Sequence, residues 1–275
     1  MEDERTEIDV TEIFSSSLET LFDHQPITLA SAGSVYTHEC KNPSSKACAT
    51  DAPLKVTLIT PDTLPANWSL HAADIWVASR YLADHPDRLS IDAMITARRS
   101  TGEKVRILEL GASAGLPGIS IAKAFDDVSV VVSDYPDELL MKTLAENVAQ
   151  NGVSHCCVAV PYAWGSDVSS VIGDGGAFDI VIAADTLWNP TLHTIFIQSL
   201  QMTLKRLPSA RIHLVAGLHT GRYTIQSFLH AVQQAGFELE SAQEKEVRGY
   251  QERAWHVRGD NDDKDRRRGT LGPRG

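Results

Sequence analysis

Val105-Arg106-Ile107-Leu108-Glu109-Leu110-Gly111-Ala112-Ser113-Ala114-Gly115-Leu116-Pro117-Gly118 carries the clearest statement of fold in this chain. Val105, Ile107, Leu108 and Leu110 form the near-continuous apolar run of a strand buried on both faces, the kind found in parallel sheets covered by helices. Gly111 to Gly115 then remove bulk from the turn. Pro117 suits the first turn of a helix, where its missing N–H would have been unpaired anyway. A tight turn that feeds a helix N-terminus lets a nucleotide-like cofactor approach the backbone. Packing alone also produces small-residue turns, and this stretch does not decide between the two by itself.

On either side of this segment, the pattern alternates strand and helix as a doubly wound sheet does. Ser129 to Ser133 reads as a strand ending at Asp134-Tyr135-Pro136-Asp137, and Asp137 to Gln150 as a helix stopped by Asn151-Gly152. Cys156 to Val160 is a short strand before Pro161-Tyr162-Ala163-Trp164-Gly165, and Phe178 to Ala184 is a strand ending at Asp185. A helix from Thr191 to Leu207, a strand from Arg211 to Ala216 and a helix from Tyr223 to Ala235 follow, with strands expected at Phe237–Glu240 and Glu252–Val257. Upstream, Leu54 to Ile59 alternates like a half-buried strand. Ser69 to Leu82 reads as a helix with Ala72, Ile75, Trp76, Ser79 and Leu82 on one face, and Asp84 to Lys104 as a charged linker.

The expected division is an acidic, partly ordered N-terminal extension over 1–52, an α/β domain over 53–258 and a charged, disordered tail over 259–275. Within the extension, Ile13, Phe14, Leu18, Leu21 and Phe22 fall at helical spacing, and Ala32 to Asp51 reads as a loop or weak hairpin.

At 275 residues the chain supports one substantial α/β domain with a large core. It has no apolar run of roughly 18 residues, and the acidic start Met1-Glu2-Asp3-Glu4-Arg5 does not read as a signal peptide. A soluble cytoplasmic protein without membrane segments is expected. Cys40, Cys48, Cys156 and Cys157 show no metal-ligand spacing and read as reduced thiols, so no metal is expected. A net charge of −11 argues against direct nucleic-acid binding, which needs a basic surface. That charge suits solubility, or steers in a basic protein partner.

Glu109-x-Gly111-x-x-x-Gly115 places a carboxylate before the turn and lacks the second glycine of a dinucleotide site. Asp134 ends the next strand, where an acidic residue sits beside the first turn and can accept hydrogen bonds from ribose hydroxyls. With Trp164-Gly165 and Asp185-Thr186-Leu187-Trp188-Asn189-Pro190-Thr191-Leu192-His193, these residues resemble the seven-β-strand, S-adenosylmethionine-dependent methyltransferases of the nicotinamide N-methyltransferase-like group. Within that group, Asp134-Tyr135-Pro136-Asp137 and the Asn189…His193 pair are most similar to the fungal protein N-terminal and lysine methyltransferases acting on translation elongation factor 1-alpha.

The resemblance spans roughly Ile13 to Val257. It implies a Rossmann-like, doubly wound seven-strand sheet with a short N-terminal extension. It also implies that Trp76 packs near the methionine end of S-adenosylmethionine, that Gly111, Ala112 and Ser113 form the turn around it, and that Asp134 is the ribose acceptor. By the same likeness Trp164 lies near the adenine, and the backbone of Ala184 borders the cofactor. Asp185 ends a buried strand at the carboxyl edge of the sheet, where ligands of open α/β folds bind. It is the candidate catalytic residue, with a strand-terminal cap as its alternative role.

Methyl transfer displaces a neutral thioether in line, so alignment and exclusion of water are the enzyme's main contributions. The acceptor nitrogen must arrive with a free lone pair. A protein α-amine, pKa about 7.7 to 8.0, is roughly a tenth neutral at pH 7, and a lysine near 10.4 less than about one part in a thousand. Asp185 is placed to orient or deprotonate such an amine. The expectation is a monomeric S-adenosylmethionine-dependent protein N-methyltransferase acting on the N-terminal glycine or adjacent lysine of elongation factor 1-alpha. A pyridine needs no base, so nicotinamide methylation is the alternative enzyme reading, and an inactive cofactor-binding scaffold is the non-enzymatic one. Three departures from the family stand out: Ile75-Trp76-Val77 where Leu-Trp-Asn is usual, Trp188 where Phe or Tyr is usual, and a polar tail after Arg253-Ala254-Trp255.

Overall fold

A computed structural model of the chain describes residues 28–40, 53–246 and 252–257. The apolar segment around Ile13 to Phe22, residues 41–52 and the tail from Arg258 lie outside the described residues. In chain order the elements are β1 (Val35–Cys40), β2 (Leu54–Ile59), α1 (Val77–Asp84), α2 (Ile91–Arg98), β3 (Val105–Leu110), α3 (Leu116–Ala124), β4 (Val128–Asp134) and α4 (Glu138–Gln150). They continue with β5 (Cys157–Pro161), α5 (Ser169–Ile172), β6 (Ile180–Ala184), α6 (His193–Thr203), β7 (Arg211–Val215), α7 (Arg222–Gln234), β8 (Gln243–Lys245) and β9 (Glu252–Ala254).

Five strands form one parallel sheet in the order β5-β4-β3-β6-β7. Side chains alternate across the pleat, and β3 shows what that does to the core. Val105 and Ile107 join one layer with residues of α1, α3 and α4, whereas Leu108 and Leu110 join a second layer with Phe196, Leu200 and Phe228 of α6 and α7. A strand that serves both layers must be apolar on both faces, which is why β3, β4 and β6 read as continuous hydrophobic runs. The order reverses at β3, whose neighbours are β4 on one side and β6 on the other. The crevice for a ligand therefore opens at the carboxyl ends of β3, β4 and β6.

Residues 28–40, which the sequence places in the extension, pack on the first layer. β1 pairs antiparallel with β2 from Val35↔Ile59 to Cys40↔Leu54, and Leu29, Ala30 and Tyr36 lie against that core. Asp137 caps α4 by accepting from Leu139 N at 3.0 Å and Leu140 N at 3.1 Å. It also anchors the segment after β2 through Leu64 N at 2.9 Å and Asn67 Nδ2 at 2.7 Å.

Several expectations are corrected. The central sheet has five strands among the described residues, not seven. Phe237–Glu240 is not a strand, and β9 pairs with β8 in a separate antiparallel ribbon. The ribbon reads Gln-Glu-Lys and Glu-Arg-Ala, too charged for a sheet covered on both faces. It is held by ion pairs instead: Glu244 with the buried Arg222 and with Arg253, and Glu252 with Lys245 and Arg88.

The helix expected from Ser69 is a 3-10 turn over Pro65–Leu70, a loop, and then α1 from Val77. His71 turns left-handed at φ 51. Carbonyls in the loop are taken by side chains rather than by a helix ladder: His71 O by Trp76 Nε1 at 3.1 Å, and Ala72 O by Ser113 Oγ at 2.6 Å. Lastly, the charged linker contains α2, because Ile91 is buried, Met94 and Ile95 pack against the core and Arg98 pairs with the buried Asp179.

Candidate active site

The turn after β3 is closed by its own backbone. Gly111 N and Ala112 N donate to Ser133 O at 2.9 and 3.0 Å, and Gly115 N donates to Ala112 O at 2.7 Å. Gly111 sits at φ +71, and a Cβ there would lie 2.9 Å from Thr186 Cγ2 and 3.4 Å from Trp164 Cζ2. Glycine thus keeps a bare floor between Trp164 and Thr186. Beneath the turn, Glu109 Oε2 accepts from Gly118 N at 2.8 Å. Burial pushes Glu109 up to about 8. The carboxylate that the motif singled out therefore braces the start of α3 and does not face the crevice, being 1% exposed.

Asp134 closes one side. Its oxygens accept from Ser113 N and Tyr135 N at 2.7 Å each, which leaves each oxygen a further lone pair. Burial pushes its carboxyl up to about 6, against the pull of those two N–H groups. On the far side of Gly111, Trp164 stands edge-on to Phe196 at 4.7 Å. Its loop is pinned by Gly165 N donating to Ser199 Oγ at 2.9 Å.

β6 ends at Ala184, in register with Val215, and the chain then turns at Asp185 with φ +52. Asp185 Oδ1 accepts from Gly217 N at 2.6 Å. The carboxylate also accepts from the backbone N–H of Ala78, and burial raises its pKa. Trp76, the N-cap of α1, stacks on His219 at 5.5 Å and 27°. His71 meets Trp188 edge-to-face at 5.2 Å and 84°. The Trp76 Nε1–His71 O hydrogen bond joins the two ring pairs.

The Asn189…His193 pair shapes this loop from behind. Asn189 Oδ1 accepts from Thr191 N at 3.0 Å, and His193 Nε2 bonds Leu187 O at 3.0 Å with its ring against Phe228.

The structure thus brings Trp76, Gly111, Ala112, Ser113, Asp134, Trp164, Ala184 and Asp185 to one edge of the sheet. His219, His71 and Thr186 are there too and were missed. His219 carried a signal, since Gly217-Leu218-His219-Thr220-Gly221 follows a strand at its carboxyl end, where ligands bind. Thr186 Oγ1 is buried without a hydrogen-bond partner among the described residues, as a side chain awaiting a ligand would be. A bare floor, a carboxylate with spare lone pairs and two indole faces fit a cofactor with a base, a ribose and a sulfonium cation.

The model of the lysine methyltransferase family matches residues 67–235, more than half of the chain. The chain belongs to the lysine methyltransferase family. Among relatives, this methyltransferase is 32% identical over 191 residues to the protein N-terminal and lysine N-methyltransferase efm7 of Schizosaccharomyces pombe, covering 66% of this chain and 71% of that one. It is 28% identical over 188 residues to EFM7 of Yarrowia lipolytica, covering 60% and 65%. With efm7 of Neurospora crassa it shares 26% identity over 165 residues, covering 53% of each. As a member of this family the enzyme is a protein N-methyltransferase, and its cofactor is S-adenosylmethionine. No helix among the described residues is long and apolar enough to cross a membrane.

Proposed function

We propose that this methyltransferase modifies the N-terminal glycine or adjacent lysine of translation elongation factor 1-alpha, as a cytoplasmic monomer whose net charge of −11 steers its basic partner in without nucleic acid. Gly111, Ala112, Ser113 and Asp134 hold the cofactor, Trp164 lies beside its base, Trp76 beside its sulfonium end, and the Ala184 backbone borders it. When bound, S-adenosylmethionine supplies an electrophilic methyl group. The chain's own residues align the acceptor nitrogen, keep water away and leave that nitrogen unprotonated.

The observation that carries this reading is the mouth formed by Asp185 with the linked ring pairs Trp76–His219 and His71–Trp188. Aromatic faces and a carboxylate attract a cationic amine. A neutral pyridine has no use for the carboxylate. Incubation with labelled S-adenosylmethionine, a peptide of the elongation factor's N-terminus and nicotinamide tests it. Label in the peptide amine is expected, and label in nicotinamide alone overturns the reading.

A further inference from the structure

Asp185 is already committed to backbone. Its carboxylate accepts from Gly217 N at 2.6 Å and from the N–H of Ala78. Ala78 lies two residues after Trp76, and Gly217 two residues before His219. One carboxylate therefore fixes both backbones that carry the stacked Trp76–His219 pair. It also lies close to the imidazole itself, since a Cβ on Gly217 would sit 2.5 Å from His219 Nδ1 and 3.2 Å from Asp185 Oδ1.

His219 is exposed at the mouth, and neither of its ring nitrogens has a hydrogen-bond partner among the described residues. Among the described residues Asp185 is the charged group that faces it, Trp76 presents an uncharged face, and Arg222, three residues on, is turned to Glu244 and to His256 O.

We infer that His219 takes the proton from the acceptor amine, with Asp185 as the positioning residue that steadies the imidazolium and Trp76 as the platform that holds the ring's plane. The inference rests on the protein-amine acceptor proposed above. An ammonium N–H bond breaks and its electron pair stays on nitrogen as the attacking lone pair. The proton forms an N–H bond to the imidazole, then passes to solvent before the next turnover. An α-amine near 7.7 to 8.0 gives up its proton far more readily than a lysine near 10.4. The site accordingly prefers the acceptor protein's N-terminus over a lysine side chain.

The test compares wild type with His219→Gln and His219→Phe, using an α-amino peptide from pH 6.5 to 9.5 and calorimetry with S-adenosylmethionine. Because an α-amine is about a tenth neutral at pH 7, kcat/KM should fall about tenfold there. The defect should close above about pH 9, where solvent supplies the neutral amine, and cofactor affinity should stay within about twofold. Phe keeps the stack on Trp76 without a lone pair, so it should behave like Gln. Full activity of either variant at pH 7, or a loss that does not change with pH, overturns the assignment and leaves amine methylation standing. A wild-type enzyme that turns over nicotinamide and no amine overturns the acceptor reading, and the base assignment with it.

Discussion

Replacing Asp134 by Asn keeps the side chain's size and removes its charge. The proposed ribose contact needs the ionised form, because a carboxylate accepts from hydroxyls that a protonated carboxyl would meet with its own hydrogen. Burial pushes Asp134 up to about 6. It is then roughly a tenth ionised at pH 5 and almost wholly so at pH 7.5, and wild-type affinity for S-adenosylmethionine rises about tenfold over that interval. The Asp134→Asn variant has no such titration. Its affinity is flat with pH, and at pH 7.5 it is weaker by about 1.5 to 3 kcal/mol, roughly ten- to a hundred-and-fifty-fold in Kd.

Stability moves the other way. A carboxyl raised above its ordinary 3.8 contributes stability that is full below about pH 4 and lost as pH climbs through about 6. Wild type gives up roughly 3 kcal/mol over that range, and the Asp134→Asn variant escapes the loss. Against that gain, the new amide turns an NH2 toward one of the two N–H groups of Ser113 and Tyr135, costing about 1 to 3 kcal/mol. Tm at pH 7 should therefore change little while Kd moves. Calorimetry at pH 5, 6 and 7.5 decides: a wild-type Kd that is flat with pH, or an Asp134→Asn variant within about twofold of wild type at pH 7.5, would strip Asp134 of the ribose role.

Gly111→Ala meets Thr186 Cγ2 at 2.9 Å from a backbone at φ +71. It should lose about 1 to 2 kcal/mol of stability from the left-handed conformation alone and weaken the cofactor at least about tenfold. Unchanged calorimetric binding would remove that floor from the site. Asp185→Asn can keep the Gly217 contact but offers Ala78 N–H an NH2, so kcat should fall at least about tenfold with cofactor Kd unchanged. Equal loss of both would make Asp185 a purely structural cap. Asp179 is 2% exposed at the amino end of β6 and pairs with Arg98, Lys205 and Arg106 N. Asp179→Ala should lose about 3 to 5 kcal/mol in denaturant melts with kcat per folded molecule unchanged. Against the upward push of burial, Arg98, Lys205 and the Arg106 N–H hold Asp179 below the ordinary carboxylate range, so its stabilisation is full above about pH 4 and is lost only as pH falls below that, through the lowered pKa.

The turn after β3 and Asp134 were legible because both are local: an apolar run, small residues and a carboxylate at the end of the next strand. The helix after Asp137 was legible for the same reason, since its cap lies within its own first turn. The segment 71–76 was not. Its apolar spacing fits a helix, but its carbonyls are satisfied by Trp76 Nε1 and by Ser113 Oγ, which arrives from the turn after β3. α2 hid among charges because Ile91 is its one fully buried side chain, with Met94 and Ile95 only partly buried against the core. The Trp76–His219 stack joins the segment before α1 to the loop after β7, and no periodicity reports such a meeting. Phe237–Glu240 and Glu252–Val257 were read as sheet strands because alternation alone does not say what will cover a strand, and the ion pairs that hold the β8–β9 ribbon are non-local.

Whether the acceptor is a protein amine can be read from mass spectrometry of elongation factor 1-alpha, and of a peptide of its N-terminus, after incubation with the enzyme and S-adenosylmethionine beside an equal amount of nicotinamide. Methyl-sized mass gains are expected on the N-terminal amine or the adjacent lysine, with nicotinamide unchanged. Methylated nicotinamide beside an unmodified protein and peptide would contradict the protein-amine acceptor.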